Sequence, residues 1–289
     1  VRGALRGRLP CQLVIQLTDH CNATCPQCGM NIKNRFSRRV LNEESVKNII
    51  DHAAANNFFS LSFTGGEPFI FFDTLVDYID YAGRAGIPCI RTGTNAFFLM
   101  NSDRADFRDR VRRIAEKLAS TGLYTFWISI DSADPETHEK MRGLKNVIRG
   151  IEKAVPIFHE YGIYPAANLG INRNIGGQDD DLNRIASGEK QFVAEEYYYK
   201  FKASFDSFYR RVIGMGFTIS NVCYPMSIDS CSLTDLKAVY RANSSDFIVR
   251  FSREEKIQVL KSLYDSIEEY RPYIRIFTPR SNILSMVRE

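Results

Sequence analysis

Three cysteines, Cys21, Cys25 and Cys28, fall within one short stretch, TDHCNATCPQCGM (18–30). Thiolates are soft ligands, suited to zinc or to iron–sulfur clusters, and either centre is normally completed by four ligands. The stretch supplies three sulfurs. Two readings follow. His20 completes a zinc site, or a cubane cluster has three irons held by protein and a fourth left open. An open iron can take the amine and carboxylate of a small molecule.

Further residues with chemical potential stand in TGGEP (64–68), TGTN (92–95), SIDSADPETHEKMRG (129–143) and FTISNVC (217–223). Adjacent glycines let a main chain approach a ligand closely. Each of these segments lies where a strand should end.

The elements that position them alternate along the chain. CQLVIQLT (11–18) reads as a strand, and LNEESVKNIIDHAAANN (41–57) puts Val46, Ile49, Ile50 and Ala53 on one helical face. FFSLSFTGG (58–66) is a second strand, followed by a helix over 73–86 with Asp73 as cap and Gly86 as stop. IPCIRTGTN (87–95) precedes a helix over 104–119, YTFWISID (124–131) a helix over 146–161, and YPAANLGIN (164–172) a long aromatic helix over 192–216. In that last helix Tyr198, Phe201, Phe205 and Phe208 recur at helical spacing, which marks a core face. FTISNVCYP (217–225) is the sixth strand, and residues 177–191 read as an exposed loop or short polar helix. A final helix over 252–270 has Ser252 as cap and Ile257, Leu260, Leu263, Tyr264 and Ile267 inward. Six β-then-α units predict an α/β fold, a partial barrel of parallel strands with chemistry at their C-terminal ends, and a helical C-terminal segment. The expected division is 11–230 for the barrel and 231–289 for a helical extension packed on it.

Composition narrows the class. The 289 residues are 44% hydrophobic and 25% charged, an ordinary globular balance. No stretch approaches the roughly 18 apolar residues of a membrane span. The basic start VRGALRGRLP lacks an apolar signal core, so export is not expected. The net charge of +4 is spread out, and its densest basic run, FRDRVRRIAEK (107–117), is broken by acids; nucleic acid is therefore not an expected partner. Seven unevenly spaced cysteines do not make a secreted disulfide framework, which predicts a reducing cytoplasm. Cys11 and Cys89 read as small core residues.

The whole arrangement resembles the radical S-adenosylmethionine (radical SAM) superfamily, whose hallmark is Cys-x3-Cys-x2-Cys after the first strand of a barrel. The resemblance spans roughly residues 13–277. It implies a 4Fe–4S cluster on Cys21, Cys25 and Cys28, with S-adenosylmethionine as the fourth ligand. It implies that Gly65, Gly66 and Glu67 of TGGEP hold the methionine amino group by their backbone. Ser129 is expected near the cofactor, Arg142 on its carboxylate, and Asn168 on its ribose; Asn95 and Asp131 complete the cofactor-binding candidates. A guanidinium fork suits a carboxylate. Gln27 departs from the family, which usually has an aromatic residue there beside the adenine. His138 is expected to brace the turn 134–143.

The implied activity is reductive cleavage of S-adenosylmethionine to a 5′-deoxyadenosyl radical, which takes a hydrogen atom from a C–H bond of a peptide or small metabolite. A flavodoxin or ferredoxin is the implied electron donor, and mild positive charge is compatible with docking it. Cys223 has three readings: a core thiol, a hydrogen-atom donor that closes an epimerisation, or a ligand of a second cluster with Cys231. Alternation places Phe217, Ile219, Asn221 and Cys223 on one side of strand six. Two alternatives stand beside this activity. One is a non-catalytic zinc module, and the other a radical SAM enzyme whose auxiliary-cluster domain lies beyond residue 289.

Overall fold

The computed structural model describes residues 12–28, 38–224 and 247–288. Cys11, Cys231 and the expected boundary at residue 230 lie outside them.

QLVIQLT forms β1 (Gln12–Thr18), with Ile15 and Leu17 buried. Helix α1 (Glu43–Ala55) starts where the Asn42 side chain accepts from the Ser45 amide at 2.8 Å, and Glu43 and Glu44 sit favourably in its first turn. Val46, Ile50 and Ala53, spaced by four and three, are its buried face. β2 (Ser60–Gly65) leads through a 3-10 turn (Pro68–Phe71) into α2 (Phe72–Arg84). Asp73, expected to cap α2, lies in its first turn instead. The 3-10 turn runs straight into the helix, so the cap position falls on Phe71, which makes no side-chain capping bond.

β3 (Cys89–Thr94), α3 (Phe107–Ala119) and β4 (Leu123–Ser129) continue the alternation. A short helix α4 (Pro135–Arg142) precedes α5 (Val147–Glu160). β5 (Ala166–Gly170), α6 (Asp180–Ser187), α7 (Ala194–Gly214) and β6 (Ile219–Cys223) follow. The polar stretch 177–191 thus does contain a helix, started by the Asp179 side chain on the Leu182 amide. Last come α8 (Arg253–Tyr270), β7 (Arg275–Ile276) and α9 (Arg280–Arg288). Ser252 and Glu255 form a reciprocal capping box at the start of α8. Leu260, Leu263 and Ile267 are buried as expected, while Ile257 and Tyr264 are half-buried.

The chain divides into two compact units: Val1–Asn22, Asn34–Ile128 and Arg149–Pro165 make one, and Ala23–Lys33, Ser129–Ile148 and Ala166–Glu289 the other. In the first, β1–β2, β2–β3 and β3–β4 pair in parallel, and Ile50, Phe63, Ile79, Val111, Phe126 and Phe158 fill the core. In the second, β5–β6 and β6–β7 pair in parallel. Tyr197, Phe201, Phe205, Phe208 and Tyr209 of α7 are fully buried there, and Tyr209 stacks on Tyr270 of α8 with ring centres 5.0 Å apart. Burying each such side chain contributes roughly 1.5–3 kcal/mol. Strand order follows chain order, so the fold is the parallel α/β partial barrel expected. The C-terminal stretch adds a two-residue strand to its helices, too short to carry an alternation pattern. No helix among the described residues is long and apolar enough to cross a membrane.

Candidate active site

In the first unit, parallel register sets Thr18 beside Gly65, so the cysteine stretch leaves β1 next to the glycine motif. Gly65 has φ +144°, and a Cβ there would run into the Thr18 backbone; one at Gly66 would strike the His20 carbonyl. The Gly66 amide donates to the Thr18 carbonyl (2.7 Å) and the Glu67 amide to that of His20 (2.8 Å). These two amides therefore dock the start of the cysteine loop.

Glu67 is 1% exposed. Its Oε1 accepts from the Phe69 amide (3.1 Å) and the Thr94 hydroxyl (2.7 Å), and its Oε2 from the Asn95 amide (2.6 Å). The carboxylate thereby ties the loop after β2 to the loop after β3. The Asn95 side chain is held in turn: Oδ1 accepts from the Phe97 amide (3.0 Å), and Nδ2 donates to Asn22 Oδ1 (2.9 Å) and stands 3.9 Å from the Cys21 sulfur. Asn95 thus reaches a cysteine directly.

In the second unit, Asp131 and Arg142 form a buried fork. Arg142 Nε lies 2.8 Å from Asp131 Oδ2, and Nη2 donates to Oδ1 at 3.1 Å. Burial works against the guanidinium charge, but Asp131 and the sulfurs of Cys25 and Cys28 outweigh it and push the Arg142 pKa up. Gln27 Nε2 donates to Asp131 Oδ2 (3.0 Å), while its Oε1 is buried with no hydrogen-bond partner among the described residues. The Arg142 carbonyl accepts from the Thr24 amide (2.9 Å), fixing the second half of the cysteine loop to the end of α4.

His138 is fully buried, and its Nδ1 accepts from the Asp131 amide (3.0 Å). Burial, with a smaller push from the Arg142 charge against an opposing pull from Asp131, lowers its pKa to about 3. It is a neutral brace in the turn, with Nε2 buried and unpartnered among the described residues. Ser129 ends β4, half-buried.

A third group lies at the ends of β5 and β6, where Asn168 faces Asn221 and Gly170 faces Cys223. Asn221 Nδ2 donates to Asn168 Oδ1 (2.8 Å) and to the Cys223 sulfur (3.1 Å), and the thiol stands 3.6 Å from Asn168 Oδ1. Ser220 and Val222 are buried on the opposite face. Phe217, expected to share the side of Cys223, precedes β6 and is buried. Cys223 keeps an open edge, yet the protein packed around its sulfur pushes the thiol pKa up, against a smaller opposing pull from Asn221.

The donor set suits a cluster. Cys21, Cys25 and Cys28 are not paired in disulfides, Cys25 being buried and the others accessible. A cubane takes one thiolate per iron, which matches three cysteines and an open fourth position. Two residues that no sequence motif marks also belong here: Asn22, which holds Asn95, and Asn172, whose Nδ2 donates to the carbonyls of Asp131 and Gly170 (both 2.9 Å). Both look like ordinary loop asparagines in the sequence; only their position beside a candidate ligand or strand end could have flagged them.

Comparison with known proteins matches the Radical SAM superfamily over residues 15–181. A GTP 3′,8-cyclase of Alkaliphilus oremlandii is 30% identical over 173 residues, covering 58% of this chain and 48% of that protein. A probable GTP 3′,8-cyclase of Methanococcus maripaludis is 25% identical over 146 residues, covering 50% and 45%. The chain thus spans about half the length of the curated relatives it matches. Streptococcus suis SuiB bound to S-adenosylmethionine has a like fold, with TM-score 0.58 over 94% of this chain and 51% of that one, at 16% identity. The chain belongs to the radical SAM superfamily, as an enzyme that works with a 4Fe–4S cluster and S-adenosylmethionine.

Proposed function

We propose that the enzyme takes a hydrogen atom from a C–H bond of a peptide or small metabolite, and that Cys223 returns one to the substrate radical. The carbon then ends at its original oxidation level, as in an epimerisation. When bound and reduced by one electron, the cluster and S-adenosylmethionine supply the 5′-deoxyadenosyl radical that abstracts the hydrogen. Cys21, Cys25 and Cys28 would each hold one iron. Gly65, Gly66, Glu67, Asn95, Ser129, Asp131, Arg142 and Asn168 are the residues to which the family resemblance assigns binding and orientation of the cofactor.

The observation that carries the closing step is the place of Cys223, an accessible thiol at a strand end beside Asn168 and Asn221, with its pKa pushed up by the protein around it. A hydrogen-atom donor must be S–H, not thiolate. After donation the sulfur needs one electron from the flavodoxin or ferredoxin donor and one proton from water to return to the thiol. A nucleotide substrate is the second reading, favoured by the relatives named GTP 3′,8-cyclase.

Turnover in deuterated water is expected to place deuterium in the product, because a thiol exchanges its hydrogen with solvent. Cys223→Ala is expected to keep forming 5′-deoxyadenosine while losing normal product. Product at the native rate from that variant removes Cys223 from the reaction.

A further inference from the structure

Arg173 lies three residues beyond the end of β5 and is 1% exposed. Its Nη2 donates to Glu255 Oε1 (2.8 Å), and the guanidinium lies over the Phe251 ring at 4.4 Å. Its Nε and Nη1 are buried with no hydrogen-bond partner among the described residues. A buried guanidinium with unpaired N–H groups is costly, so such groups are normally satisfied by a ligand or partner. Arg173 lines a cavity of about 490 Å³ together with Arg250, Ile185, Phe192, Phe247 and Phe251. Tyr224, the residue after Cys223, packs on Phe251 with ring centres 6.2 Å apart, so the cavity borders the strand end that carries the thiol.

The two acids that line the cavity are already engaged. Glu255 takes Arg173 on one oxygen and the Ser252 amide (2.6 Å) on the other, and Glu254 accepts from the Ser252 hydroxyl (3.1 Å). Among the described residues that line the cavity, what is left unsatisfied is donor only: the Nε and Nη1 nitrogens of Arg173, with the exposed Arg250 at the rim. The lining charges balance formally, Arg173 and Arg250 against Glu254 and Glu255, so a monoanion suits the cavity better than a polyphosphate. A guanidinium fork matches a carboxylate, and three phenylalanines and an isoleucine suit an apolar group attached to it.

We infer that this cavity binds the carboxylate end of the substrate, a carboxylate carried on an apolar or aromatic group. The inference rests on the reading of a peptide or small-metabolite substrate and narrows it. It sets a carboxylic acid against a nucleoside triphosphate.

The probes are phenylacetate, its uncharged analogue phenylacetamide, and inorganic pyrophosphate, titrated into the full-chain reconstituted enzyme and followed by NMR. Binding is read without turnover, so a failure of S-adenosylmethionine cleavage leaves the result readable. Phenylacetate is expected to bind, phenylacetamide at least tenfold more weakly, and pyrophosphate more weakly than phenylacetate. Arg173→Met is expected to abolish phenylacetate binding. Arg250→Gln, at the exposed rim, is expected to weaken it severalfold at unchanged melting temperature. Any of three results overturns the inference: no phenylacetate binding, an amide bound as well as the acid, or an Arg250→Gln variant with native affinity. Tighter binding of pyrophosphate overturns the carboxylate assignment.

Discussion

Around Glu67, the carboxylate receives two backbone amides and a hydroxyl, and Asn95 passes that order on to Asn22 and Cys21. Around Asp131, the carboxylate receives Arg142 and Gln27, but Gln27 Oε1 and His138 Nε2 stay buried without partners among the described residues. The first cluster is closed on itself and neutralised by dipoles. The second rests on an ion pair of two buried charges and leaves hydrogen-bonding capacity over. A closed polar network acts as scaffold; an incompletely satisfied one is where a ligand has something to complete.

The largest expected effect separates the two clusters. Asp131→Leu leaves the Arg142 charge buried and unpaired, and is expected to cost about 3–5 kcal/mol. Glu67→Gln keeps one acceptor oxygen for the donors, and is expected to cost about 1–3 kcal/mol. Urea denaturation of both variants checks the order, and a costlier Glu67→Gln would reverse the comparison.

The next effect is the pH dependence of the second cluster. His138 has a folded pKa near 3 against about 6.5 unfolded, so below 6.5 the unfolded chain takes up a proton that the folded chain refuses. The contribution of neutral His138 is fully present above pH 6.5 and is lost as pH falls toward 3. Stability is expected to drop by about 1.4 kcal/mol per unit in that window from this residue. His138→Asn should flatten the slope between pH 6.5 and 5, where carboxylates titrate little. An unchanged slope means that His138 is not held neutral by the fold.

The smallest effect belongs to the first cluster. Asn95→Ala removes a side-chain N–H near the Cys21 sulfur, and such hydrogen bonds help set cluster potentials. The cluster is expected to become harder to reduce, read by an EPR-monitored redox titration, with a stability loss of about 1 kcal/mol.

Much of this was legible in the sequence. Period-two and period-3.6 patterns place β1 to β6 and the long helices, and Ser252 with Glu255 announces the start of α8. The spacing of Cys21, Cys25 and Cys28 together with TGGEP points to the superfamily. What stayed hidden depends on tertiary contact. Gln27 reaches Asp131 across 104 residues, and no local rule pairs them. Glu67 reads as a cofactor contact, yet its carboxylate is used in bracing Asn95, because the register of β2 and β3 brings the two strand ends side by side. Arg173 carries no motif at all. Its interest comes from burial beside a cavity after β5, which composition cannot show.

The most direct measurement is anaerobic reconstitution of the wild-type enzyme and of a Cys21→Ala, Cys25→Ala, Cys28→Ala triple variant. Iron, labile sulfide, cluster absorption and 5′-deoxyadenosine formed from S-adenosylmethionine under a strong reductant are then assayed. The wild type is expected to hold one 4Fe–4S cluster and to form 5′-deoxyadenosine, and the triple variant to do neither. A variant that retains both the cluster and the cleavage, or a wild type that binds zinc with no labile sulfide, would contradict the assignment of these three cysteines.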